Sequence, residues 1–160
     1  MHVLAITRKI LHKFSTHTPA NSPHFTLLSA TPAPDLKATL LQYTHTPTNS
    51  RVYHFQNNDP ENAFASVVKT YVLNDTGCPH ILEHLACCGS QKYPVRDPFF
   101  NMLRRSVSTY MNAWTGDDFT SYPFSSANPN DWRNLYKVYL DMTLRARLHE
   151  LDFRQEGWRF

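Results

Sequence analysis

The chain has 160 residues, of which 41% are apolar and 13% aromatic, and its mean hydropathy is −0.47. That composition can bury a core, argues against wholesale disorder, and contains no apolar run long enough for a transmembrane helix, so no membrane insertion is expected. A formal net charge of +3 falls short of a nucleic-acid-binding signature, and three cysteines are too few for a disulfide framework.

The first acidic residue is Asp35. Before it lie Arg8, Lys9 and Lys13 among many Ser, Thr and His residues, a pattern that resembles an organelle transit peptide. Leu4, Ile6, Ile10, Leu11 and Phe14 make a rough apolar stripe if residues 3–14 are helical. Residues 1–23 are therefore set apart as a targeting or disordered leader. Phe25–Ala30, Ala38–Thr44, Arg51–Gln56 and Ala63–Leu73 read as strands, broken by Pro32, Pro34, Pro47, Asn49 and the turn at Asn57–Pro60. A helix is predicted from Cys78–Pro79 to about Cys88, closed by Gly89. Asp97 and Pro98 open another, with Phe99, Met102 and Leu103 as its apolar face. Ser106–Trp114 and Asp118–Ser125 read as a hairpin around Thr115–Asp117. Asn128–Pro129 opens a longer helix whose Trp132, Leu135, Tyr136, Tyr139 and Met142 recur at three and four. In the last stretch, Leu151–Phe160, Phe153, Trp158 and Phe160 sit among charges. Strands, two helices, a hairpin and a helix imply an α+β fold: a mixed or antiparallel sheet packed with helices.

The chemistry concentrates in GCPHILEHLACCG, residues 77–89. His80 and His84, four apart on a predicted helix, lie one turn apart on one face, where two imidazole nitrogens can share a Zn²⁺. Glu83 completes His-x-x-Glu-His, the inverted zincin pattern. Neutral imidazoles keep zinc Lewis acidic toward water, and an adjacent carboxylate can serve as general base. Random placement of nine His and four Glu would produce the pattern about 0.01 times. Two nitrogens leave such a site short, because a catalytic zinc generally has three protein ligands. The bland alternative is a helix whose histidines pack or face solvent. Cys78, Cys87 and Cys88 lack C-x-x-C spacing and read as reduced, mostly buried thiols. Arg104–Arg105 reads as a solvated helix end, and no G-x-S-x-G supports a serine hydrolase.

Residues Asp75–Phe160, from DTGCPHILEHLACCGSQKYPVRDPFFNMLRR through MNAWTGDDFTSYPFSS and NPNDWRNLYKVYLD to LHELDFRQEGWRF, resemble the N-terminal catalytic block of the presequence proteases, in the pitrilysin/insulysin superfamily. The resemblance implies a pitrilysin-like α+β domain, one of four such units in a clam-shell that encloses short unstructured peptides. It makes residues 24–160 a partial catalytic domain. It implies that His80 and His84 ligate Zn²⁺, that Glu83 is the general base, and that Glu156 orients a ligand or water nearby. It further implies that Asn112, Ala113 and Trp114 form the edge strand on which a peptide is laid. The family's third zinc ligand lies in an N-E-x-K-G-like block beyond the segment matching Glu156, and Phe160 precedes that block. The resemblance thus covers a truncated, N-terminal part, with the remainder of the protease chain as its partner. Glu150 or Glu156 as substitute ligand stays open. Mitochondrial matrix or plastid residence is what the family implies. By itself the 160-residue chain, with two of the three ligands, is expected to be inactive or weakly active as a peptidase. The alternative is a catalytically inactive peptide- or partner-binding domain without a complete zinc site.

Overall fold

The computed structural model describes residues 22–157. The apolar stripe at residues 3–14, most of the expected leader, and Trp158 and Phe160 lie outside the described residues.

Two antiparallel sheets and four helices make up the described chain, an α+β fold. The expected single mixed or antiparallel sheet is thereby resolved into two, both antiparallel. The first sheet is a meander of β1 (Phe25–Ala33), β2 (Ala38–His45) and β3 (Ser50–Gln56). A single 3-10 turn, Pro34–Leu36, joins the first two. β1 continues through Pro32, beyond the expected Ala30. It pairs only with β2, and an edge strand tolerates a residue without an N–H.

The second sheet is built around β7 (Phe119–Ser126). β4 (Asn62–Lys69) lies on one side, and β5 (Tyr110–Met111) and β6 (Trp114–Thr115) lie on the other. β4 stops at Lys69 rather than Leu73. Its partner begins at Phe119, opposite Lys69, so residues 71–73 have no strand to pair with and stand exposed. The expected strand Ser106–Trp114 is likewise shortened and split. Met111 faces Phe124 and Trp114 faces Ser121, which sets Asn112 opposite Pro123. Pro123 has no N–H to give, so the ladder keeps only the bond from Asn112 N–H to the Pro123 carbonyl, at 3.0 Å.

α1 (Cys78–Cys87) and α3 (Pro129–Leu144) appear where the sequence pattern puts them. Asn128 caps α3 by accepting from the N–H groups of Asn130 and Asp131. α2 (Pro98–Arg105) starts as expected, but Asp97 is not a side-chain cap. Its backbone sits in the left-handed region and its carboxylate lies 3.5 Å from Arg96 Nε. A fourth helix, α4 (Glu150–Glu156), was not foreseen. Seven residues are too few to display a helical period, and its start is marked by His149, whose ring accepts from Leu151 N–H.

The core lies between the second sheet and α3. Phe64 and Phe124 from the sheet meet Leu135, Tyr139 and Met142, each 2% exposed or less. Phe124 and Tyr139 rings are 4.7 Å apart, and Trp132 stacks on Tyr136 at the rim. On α2, Phe99 and Met102 pack against this core, whereas Leu103 and Phe100 are exposed. Phe153 is exposed as well.

Candidate metal centre

α1 packs against β6 and β7 of the second sheet and also touches α3 and α4. Pro79 supplies the preset φ of a first turn, and the ten-residue helix holds His80, Glu83 and His84 on one side. His80 is exposed, His84 half-buried, and Glu83 only 6% exposed.

The two imidazoles converge. His80 Nε2 and His84 Nε2 are 3.2 Å apart, with ring planes inclined at 65°. On the far side of the His84 ring, Nδ1 lies 2.9 Å from Glu156 Oε2, so α4 is tied to α1 across 72 residues of sequence. An ionised carboxylate only accepts hydrogen bonds, so Nδ1–H of His84 donates and the Nε2 lone pair points toward His80. This is how a second carboxylate selects the tautomer of a metal-binding histidine. Two imidazole nitrogens at 2.0–2.1 Å from a tetrahedral ion would stand about 3.3 Å apart, close to the observed separation. The pair therefore fits two corners of a zinc site. Among the described residues no group of three His, Cys, Asp or Glu side chains converges as a metal-binding set. Glu156 is turned to His84 Nδ1, Gln155 Nε2 donates to its other oxygen at 3.1 Å, and Glu150 pairs with Arg154.

Glu83 accepts a 2.6 Å hydrogen bond from Thr115 Oγ1 on β6. Behind Thr115 stand Thr120, 3.3 Å away, and Thr70, 2.8 Å from Thr120. The sequence reading missed all three threonines. A hairpin register alone makes Thr115 and Thr120 cross-strand neighbours, but only the packing of α1 on the sheet brings them to Glu83.

The two histidines, Glu83 and Glu156 border an open cleft of about 530 Å³. His80, Glu83, His84 and Glu156 line one wall, and Met111, Asn112 and Ala113 line another. Trp114 is 42% exposed and does not line the cleft. Ala113 N–H is held by Asn112 Oδ1 at 2.9 Å. Cys87 lies at the cleft floor, where burial, then the Glu83 charge, pushes its thiol well above the ordinary range. Burial, then Asp152, pushes the Cys88 thiol up to about 12. Cys78 is exposed.

No protein-family model matches the chain. Curated relatives do. The chain is 52% identical over 135 residues to the mitochondrial presequence protease of Mus musculus, covering 84% of this chain and 13% of that protein. It is 50% identical over 136 residues to that of Schizosaccharomyces pombe, and 50% over 144 residues to that of Xenopus laevis. The chain spans about 13–14% of the length of these relatives. Among solved structures, the crystal structure of pitrilysin superposes with a TM-score of 0.69 at 20% identity, covering 83% of this chain and 15% of that one. Half the aligned residues being identical over most of the described fold is far beyond what a shared architecture imposes. The chain is homologous to the N-terminal segment of the presequence proteases and has a pitrilysin-like fold.

Proposed function

We propose that the chain carries part of the active site of a zinc metalloendopeptidase that degrades short unstructured peptides, such as cleaved targeting presequences. The observation that carries this reading is the meeting of His80 and His84 Nε2 at 3.2 Å in the cleft that Glu83 also lines. His80 and His84 would hold the ion, which when bound supplies Lewis acidity toward water and a peptide carbonyl. Glu83 is the proton acceptor: one carboxylate oxygen is held by Thr115, and the other takes a proton from water and returns it to the leaving amine. Glu156 keeps His84 in the tautomer whose Nε2 can coordinate. The β5–β6 edge would take an extended peptide as an added strand, with Asn112 and Ala113 toward the cleft and Trp114 flanking it. Such a peptide must displace the Asn112 side chain from Ala113 N–H. Mitochondrial residence, with residues 1–23 as leader, follows the named compartment of the relatives.

One observation favours a second reading, a non-catalytic peptide-binding domain: the described residues bring together two imidazoles and no third donor. Metal analysis separates the two. The first expects zinc bound through His84 and lost in His84→Ala, with cleavage of an unstructured peptide by this chain weak or absent and any such cleavage abolished by Glu83→Gln. A folded chain that binds no zinc from a micromolar pool would overturn it.

A further inference from the structure

We propose that Thr115 is the positioning residue for Glu83 and that Thr120 and Thr70 hold Thr115 in turn. The proposal rests on the reading of Glu83 as proton acceptor and adds what orients it.

The direction of the hydroxyl chain follows from proton counting. The Glu83 carboxylate can only accept, so the single Thr115 proton is committed to Oε2 at 2.6 Å. The 3.3 Å contact between Thr115 and Thr120 must then use the Thr115 oxygen as acceptor and the Thr120 hydroxyl as donor. With that proton used, the 2.8 Å contact between Thr120 and Thr70 runs from Thr70 to Thr120. Three hydroxyls therefore point one way, toward Glu83, and each bond polarises the next. Thr120 is 2% exposed and Glu83 6%, so water does not compete freely along this line. Among the described residues, Glu83 Oε1 has no hydrogen-bond partner, in a side chain that borders the cleft beside both histidines. One oxygen is pinned from the sheet and the other remains to accept a proton. A glutamate side chain has three rotatable bonds, and α1 alone leaves its carboxylate unoriented. The strands β4, β6 and β7, each contributing one threonine or its neighbour, supply the orientation.

The test uses the full chain with its glutamates ¹³C-labelled at the carboxyl carbon. Glu61, Glu83, Glu150 and Glu156 yield four resonances, and Glu83→Gln identifies one of them. Thr115→Val removes the donor at nearly constant shape, and Thr115→Ser keeps it. Thr115→Val is expected to move the Glu83 resonance and leave the other three, with Thr115→Ser restoring it. Thr120→Val, which breaks the chain one step back, is expected to move the same resonance less. In zinc-loaded protein, Thr115→Val is expected to lower kcat for an unstructured peptide by about tenfold or more, with KM within about twofold. A Glu83 resonance unmoved in both valine variants overturns the proposal. So does wild-type hydrolysis by Thr115→Val while Glu83→Gln abolishes it. Equal, measurable hydrolysis by wild type and Glu83→Gln removes the reading of Glu83 itself and this proposal with it.

Discussion

The contact between His84 and Glu156 is the tertiary bond on which the site depends, and its strength can be measured without metal. Each partner alone sits on a short element: His84 near the end of α1, Glu156 at the last position of the seven-residue α4. The bond is 2.9 Å long, with the carboxylate side chain 8% exposed and the imidazole 29%. A hydrogen bond to a buried charged group contributes about 1.5–3 kcal/mol, and the partial exposure of the imidazole places this one at the lower end. A double-mutant cycle of His84→Ala and Glu156→Ala, unfolded in urea with EDTA present, should therefore give a coupling energy of about 1–2 kcal/mol. For a chain of this size, losing that energy lowers Tm by about 2–8 °C. A coupling energy below about 0.3 kcal/mol, with the single variants still cooperatively folded, would refute the idea that Glu156 holds His84. Substitution of Glu156 by Gln should then weaken zinc binding by about 10–100-fold, the usual cost of losing the group behind a histidine ligand.

Two further outcomes follow from the same geometry. Cys78 should react quickly with a thiol reagent at neutral pH, the half-buried Cys87 more slowly, and the buried Cys88 slowest, read by mass spectrometry of a timed labelling series. Because folding raises the thiols of Cys87 and Cys88 above their unfolded value of about 8.5, the stability they contribute is complete below that pH and declines as pH rises beyond it. Replacing Asn128 by Ala removes the acceptor for two N–H groups at the start of α3 and should cost about 1 kcal/mol in urea unfolding.

The helix α1 and the placing of His80, Glu83 and His84 on one side of it were legible in the sequence. Their spacing of three and four is a local property of a 3.6-residue turn, and Pro79 and Gly89 mark the ends of the segment. The same holds for α3, whose apolar recurrence named Leu135, Tyr139 and Met142, all fully buried. The extent of β4 and the break between β5 and β6 were not legible. Each depends on which residue of β7 stands opposite, Phe119 ending one and Pro123 interrupting the other. α4 was hidden because its seven residues hold too little pattern, though the family resemblance implied a place for Glu156 near the metal, orienting a ligand or water. The sequence by itself determined the candidate site residues and the helix that bears two imidazoles among them, because backbone hydrogen bonds of short range set that geometry. Only the tertiary structure decided how those groups are oriented. Glu156 reaches His84 across 72 residues and Thr115 reaches Glu83 across 32, contacts that no local period encodes and that exist only when α1 is packed between α4 and the sheet.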